Sequence, residues 1–230
     1  MKGNDSMIGK EIIDSTENME SSENGFSEIS ACRTSIEETK TFWNRVFCSE
    51  SEEISVEDLW DEIMYCDESE FDFSDVVDDG TKEILELFTA DEWKSLDADG
   101  RYELITKLAE YIGESLGLEE IPEIELVDID DNCSGFYNER GNYIGINVNY
   151  WDDYKDVVDT IAHETRHAYQ RFRADKLENR QDEIYKFNFE HYISTECDSE
   201  GKYINFKEYY EQYIEAEARA FAKEFAAEVA

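Results

Sequence analysis

The amino-acid sequence predicts an α+β fold in which helices pack around one small twisted sheet. Apolar residues recur at helical spacing through about residues 55–117 and again from about residue 153 to the end. Between these stretches, residues 121–150 alternate apolar and polar side chains at every second position, which is the spacing of strands. Strands gathered into one stretch between helical stretches are typical of α+β domains.

Residues 1–50 are predicted to form an acidic, Ser/Glu-rich leader outside a folded domain at 51–230. The stretch DSTENMESSENGFSEIS is polar and has no periodic apolar pattern. The N-terminus lacks the apolar run of a signal peptide, and no stretch is apolar for long enough to span a bilayer. We therefore expect a cytoplasmic protein, with export by a route that needs no cleaved signal left open.

The charge of the chain excludes two classes of partner. With 59 acidic and 21 basic residues, the net charge is −38. Such a surface repels nucleic acid phosphates and anionic membranes, so neither is expected to bind. The oligomeric state stays open.

Four helices are predicted before the strands. The first begins with a capping box at Ser55 and Asp58, and the second covers TKEILELF. Thr89 and Glu92 cap a third, short helix. A longer fourth helix ends at Gly117 and carries its apolar residues at helical spacing: Leu104, Ile105, Leu108, Ile112 and Leu116.

A strand and a hairpin follow. IPEIELVDI predicts the strand, and GFYNERGNYIGINVNYW predicts a hairpin whose turn lies at residues 140–142. Alternation places one set of side chains on a single face: Ile144, Ile146, Val148 and Tyr150.

The next helix, from about residue 153 to 173, carries the motif HExxH. The chain has only three histidines, and His163 and His167 lie four residues apart. Side chains at i and i+4 share one helix face, so both imidazoles can bind one zinc ion from the same side. Glu164 would take a proton from zinc-bound water. The sequence therefore predicts a catalytic zinc site with His163 and His167 as ligands and Glu164 as the base.

These histidines are not expected to fill the core. They share a helix face with Asp156, Asp159 and Gln170 and therefore point to a cleft or to solvent. The buried stripe lies roughly opposite and comprises Tyr154, Val157, Val158, Ile161, Thr165, Ala168 and Phe172.

A catalytic zinc site needs a third protein ligand. His191 stands alone in FNFEHYIS and is expected to be an ordinary structural residue. The last helix, predicted to begin after a cap at Asn205, offers Glu215 and Glu217. Both flank its apolar stripe at about equal angles, so periodicity leaves the choice between them open.

The order of a strand, an HExxH helix and a later helix with a glutamate resembles the gluzincin zinc metallopeptidases. It is most similar to the minigluzincins and to the zinc peptidases that cleave phage-type repressors. Their second motif reads Glu, two residues, Ala, then Asp or Asn, and EAEARAFA matches it with Glu215 at the ligand position. The resemblance, which covers about residues 100–230, implies a zincin-like fold with an edge strand against the HExxH helix.

The sequence departs from this motif at Arg219, where those families have Asp or Asn. That residue commonly orients a ligand histidine as a hydrogen-bond acceptor, and a guanidinium cannot accept. The departure leaves this role either unassigned or supplied by another group, such as Asp159.

Taken together, the motif and the resemblance lead us to expect a Zn²⁺-dependent metalloendopeptidase that cuts a protein or peptide substrate with a Glu164-activated, metal-bound water. The substrate would lie extended along an edge strand at residues 143–149. Arg166 projects near the histidines and could contact the substrate, but it is expected to be solvated. The oxyanion would be stabilised by a tyrosine near Glu215: Tyr203, Tyr209, Tyr210 or Tyr213.

Two alternatives to this function stay open. One is a catalytically weak binding or regulatory module, and the other is a peptidase toxin or effector delivered to another cell.

Overall fold

The structure, a computed structural model, describes residue 60 and residues 63–129, 133–200 and 202–229. The predicted leader, its boundary at residue 50 and the capped helix start at Ser55 lie outside these residues. The described helices are α1 (Asp79–Leu85), α2 (Ala90–Ser95), α3 (Ala98–Ser115), α4 (Tyr154–Lys176), α5 (Arg180–Glu190), α6 (Phe206–Tyr210) and α7 (Tyr213–Glu228). The strands are β1 (Glu123–Val127), β2 (Gly135–Asn138) and β3 (Tyr143–Asn147). The prediction of an α+β fold is confirmed.

Side-chain caps begin the helices that precede the sheet. The side chain of Thr89 accepts a hydrogen bond from the backbone N–H of Glu92, as predicted, and Asp97 caps α3 in the same way. The helix α3 ends where expected, because Gly117 has a φ of +71° and the N–H of Leu118 bonds back to the carbonyl of Gly113.

The three-stranded sheet has the order β1-β3-β2, with β1 parallel and β2 antiparallel to β3. The predicted hairpin turn is confirmed, but the prediction of an edge strand at residues 143–149 is wrong. Here β3 is the central strand, and β2 is the edge strand nearest to α4. The parallel pairing of β1 with β3 depends on contacts between residues distant in sequence, which the alternation along the chain does not predict.

The strand also ends earlier than the alternation predicts. Residues 148–150 form a 3₁₀ turn, and Val148 is exposed rather than buried. The side chain of Asn147 is fully buried and accepts from the N–H of Asn149 at 3.1 Å, which bends the chain out of the sheet.

The core lies between α3, the sheet, α4 and α7. The buried stripe predicted for α4 is confirmed: Val157, Val158, Ile161, Thr165 and Ala168 are buried, and Tyr154 and Phe172 are half-buried. The other layers contribute Leu104, Ile105, Leu108 and Ile112 from α3, Ile124, Ile144 and Ile146 from the sheet, and Phe221, Ala222 and Phe225 from α7.

The chain between α4 and α7 is more ordered than its sequence suggests. Asn179 caps α5, and Arg173 holds Asp182 through two hydrogen bonds of 2.9 Å, which fixes α5 against α4. The last helix is broken: α6 and α7 are separate, and Asn205 does not cap α6. Its side chain bonds instead to the carbonyl of Ser194 and the N–H of Glu196.

Among the described residues, no helix is both long enough and apolar enough to cross a membrane.

Candidate metal centre

Three predicted ligands converge from two helices. The Nε2 atoms of His163 and His167 lie 3.0 Å apart. The carboxylate of Glu215 lies 3.5 Å from Nε2 of His163 and 3.6 Å from Nε2 of His167. All three donor atoms fall within 4.8 Å of one another, so this group could hold a metal ion.

The packing of α7 along α4 places these donors. The histidines occupy successive turns of α4, on the helix face that is turned away from the buried stripe and toward the cleft. Glu215 lies in the first turn of α7, where the helix dipole favours negative charge, and its side chain is only 2% exposed. A carboxylate buried so deeply stays ionised only if it has a cationic or hydrogen-bonding partner.

The electrostatics of the cluster favour a cation at its centre. Burial alone would raise the pKa of Glu215, but the charges and hydrogen bonds of His167 and His163 hold it well below its usual value. Burial alone would lower the pKa of His167, but Glu215 outweighs that effect and raises it to about 9. The carboxylate of Glu215 therefore stays ionised. It attracts positive charge, either from a protonated histidine or from a metal ion.

Gln170 fixes the orientation of His167. Its Nε2 donates to the carbonyl of Ile214 at 3.0 Å and to Oε2 of Glu217 at 2.7 Å, so its Oε1 is left to accept. That oxygen lies 2.8 Å from Nδ1 of His167, which must therefore carry the proton. In neutral His167 the lone pair is then on Nε2, the atom that faces Glu215.

Glu217, the alternative third ligand, has a different environment. It is 4% exposed and lies 2.8 Å from both Nη2 of Arg166 and the hydroxyl of Tyr185. With Gln170 as its third donor, Glu217 faces away from the histidine pair. The geometry thus selects Glu215 between the two candidates.

The prediction that Arg166 is solvated is wrong. Its side chain is 9% exposed, and its guanidinium lies 4.6–5.1 Å from the ring centroids of Tyr169, Phe73 and Phe221. Burial alone would lower the pKa of Arg166, but Glu217 outweighs burial and raises it. A cation in this position can be stable only because it has both a carboxylate and aromatic faces around it.

Arg219 takes no part in the cluster. Its Nε donates to Glu68 at 2.7 Å, and its guanidinium stacks 3.4 Å from the ring centroid of Tyr210. It therefore joins α7 to the turn at residues 68–70. Gln170 fills the orienting role that the resemblance assigned to the Arg219 position, whereas Asp159 lines the cleft near His163.

A cavity of about 940 Å³ is lined by the three candidate ligands and by Glu164. Of the four tyrosines considered for the oxyanion, Tyr203 and Tyr209 line it. Tyr210 stacks on Arg219, and Tyr213 packs near Tyr185.

Tyr192 was not among the predicted site residues. It lines the cavity and donates to Oε1 of Glu215 at 2.7 Å, with Tyr209 packed beside it. No periodic signal marks Tyr192, because it follows α5 in irregular chain. His191, its neighbour, bonds to the carbonyl of Phe187 and packs on Trp60, so it is structural as expected.

Gln212 holds this irregular chain against α7. Its buried side chain accepts from the N–H of Ile193 at 2.7 Å and donates to the carbonyl of the same residue at 2.9 Å. Gln212 directly precedes α7, and it therefore fixes the backbone next to Tyr192 against the start of that helix. The sequence offered no indication of this, since a lone glutamine carries no motif.

No protein-family model, curated protein or solved structure matches the chain.

Proposed function

We propose that the chain is a gluzincin-like zinc metalloendopeptidase with a zincin-like fold. The observation that carries the proposal is the convergence of His163, His167 and Glu215 in the lining of a large cavity that Glu164 also lines. Two imidazoles and one carboxylate are the donor set of many catalytic zinc sites, which keep one position for water.

The donor atoms fit zinc in chemistry as well as in number. Nε2 of neutral His167 is free of hydrogen because Gln170 accepts from Nδ1, and Glu215 is held in its ionised form. Both groups therefore present lone pairs to the centre of the cluster. When bound there, zinc would acidify water and polarise a carbonyl.

Glu164 is the group proposed to move the proton. It is 8% exposed, lines the cavity and acts electrostatically on His167. From there it would accept the proton of the attacking water and deliver it to the leaving amine. Tyr192 and Tyr209 also line the cavity, and one of their hydroxyl groups could donate to the developing oxyanion.

The edge strand β2 is the proposed binding site for the substrate backbone. Residues 133–137 line the cavity, and within the described part of the chain β2 has a sheet neighbour, β3, on one side only. An extended peptide could add to the other side by backbone hydrogen bonds.

Replacing Glu164 with glutamine tests the proposal. Zinc content, measured by elemental analysis, should match that of the unaltered protein, whereas peptide hydrolysis should fall by about 10²–10⁴-fold. Equal hydrolysis by both proteins, or none by the zinc-loaded unaltered protein against a broad peptide library, would contradict peptidase activity and favour a binding module.

A further inference from the structure

The cavity contains charge of only one sign outside the metal centre. Apart from the three donors and Glu164, its charged lining residues in the described part of the chain are Glu139 and Asp159. Glu139 pairs with Arg171 at 3.2 Å, so its charge is partly neutralised. The charged groups that act on Asp159 are His163 and two further carboxylates, Asp156 and Glu68.

One wall of the cavity is aromatic. We define the aromatic wall as Tyr192, Tyr203, Phe206 and Tyr209, whose rings form a chain with centroid distances of 5.7–6.3 Å. Nine large apolar side chains are exposed among the described residues, and three of them, Tyr192, Tyr203 and Phe206, belong to this wall. Such a concentration of exposed apolar surface indicates a recognition site.

Both features favour the same kind of ligand. Carboxylates attract lysine and arginine directly, and the faces of aromatic rings attract cations through their quadrupole. The overall charge of −38 adds a long-range attraction for basic peptides and repels acidic ones.

The position of Asp159 sets where the basic residue would bind. It lies four residues before His163, so it occupies the same face of α4 one turn away, where the Cβ atoms of such neighbours are about 5–6 Å apart. An extended peptide advances about 3.3 Å per residue. A side chain that reaches Asp159 would therefore belong to a residue within about two positions of the bond at the metal centre.

We infer that the cleft selects peptide segments with a lysine or arginine within about two residues of the bond to be cut, bound between Asp159 and the aromatic wall. This inference rests on the proposed peptidase function.

The first test digests a peptide library with zinc-loaded protein and identifies the cut sites by mass spectrometry. Lysine and arginine should be enriched at one position near the cut. Asp159→Asn should reduce the preference for a lysine peptide over its glutamine counterpart by about two- to fivefold, the effect of one partly exposed ion pair. The matched control is Glu110→Gln, which removes the same charge from an exposed position on α3.

Two results of this test would overturn the inference. One is a set of cut sites without basic enrichment. The other is an equal loss of preference in the Asp159 and Glu110 variants, because the bulk charge would then suffice to explain it.

A binding measurement separates this inference from the peptidase proposal. Zinc-loaded Glu164→Gln protein is titrated into labelled peptides that differ only in lysine, glutamine or glutamate at the selected position, and anisotropy is read. If the zinc-loaded unaltered protein cuts none of these peptides, but the lysine peptide binds best and Asp159→Asn removes its advantage, the cleft specificity stands and the peptidase proposal fails. Equal binding of the three peptides overturns the inference, whether or not cleavage occurs.

Discussion

Glutamine in place of Glu217 should separate the two buried glutamates of α7 by their roles. The substitution keeps the shape of the side chain but removes the charge that faces Arg166 at 2.8 Å. Glu215→Gln is the matched control, because the same change is made two residues away on the same helix. The two side chains are 4% and 2% exposed, so burial does not distinguish them.

The expected loss of stability follows from the surroundings of Arg166. Removing one partner of a buried ion pair costs about 3–5 kcal/mol, because the other charge stays buried. The rings of Phe73, Tyr169 and Phe221 surround the guanidinium and offset part of this. We expect Glu217→Gln to lower the free energy of unfolding of metal-free protein by about 3 kcal/mol. Glu215→Gln should cost less, because His167 can release its proton whereas Arg166 cannot.

The effect on zinc should be the reverse. Glu217 touches His167 only through Gln170, so its loss should weaken zinc binding about 10–100-fold, the usual effect of a group that orients a ligand. Glu215→Gln should abolish stable binding. Denaturant unfolding in the presence of a chelator gives the stabilities, and competition with a chromogenic chelator gives the affinities. If Glu217→Gln lost zinc while Glu215→Gln kept it, the assignment of the third ligand would be wrong.

Three further predictions concern charge, packing and pH. Arg219→Ala should destabilise the fold by about 1–2 kcal/mol through its lost contacts with Glu68 and Tyr210, yet leave zinc affinity within about threefold in the chelator assay. Gly135→Ala should cost about 1–3 kcal/mol in denaturant unfolding, since its Cβ would lie 2.5 Å from a Thr160 methyl; a neutral result would show that β2 can move away from α4. The pKa of His167 is raised from 6.5 to about 9, so its stabilisation of metal-free protein is complete below pH 6.5 and lost as pH rises through 9. Unfolding curves should show a decline of about 2–3 kcal/mol over that range, and a flat profile would contradict the pairing with Glu215.

The parts of the structure that the sequence predicted are those with a local signal. The helical stripe of α4, the cap at Thr89, the stop at Gly117 and the hairpin turn all depend on residues near one another in the chain. The convergence of His163 and His167 follows from helix periodicity alone. The choice of Glu215 came from the resemblance, and the geometry of the described residues agrees with it.

What the sequence did not reveal depends on long-range packing. Arg166 looked like a surface residue because nothing nearby in sequence neutralises it; its partner Glu217 is 51 residues away. Gln170 was placed on the correct face, but its role needed Glu217 and Ile214 to be brought next to it. The edge strand was misassigned for the same reason, since parallel pairing of β1 with β3 is decided by the crossover rather than by alternation.

The hydrogen bond from Tyr192 to Glu215 has a consequence for engineering. Loops that shape specificity can often be exchanged freely when the reactive groups sit on a separate scaffold. Here the hydroxyl of Tyr192 lines the cavity and also bonds to the candidate ligand Glu215. Gln212 ties the adjacent backbone, at Ile193, to the start of α7. A loop transplant that alters residues 192–206 would therefore disturb the proposed metal site as well as the proposed substrate cleft, unless the grafted segment keeps Tyr192 and the backbone N–H and carbonyl of Ile193.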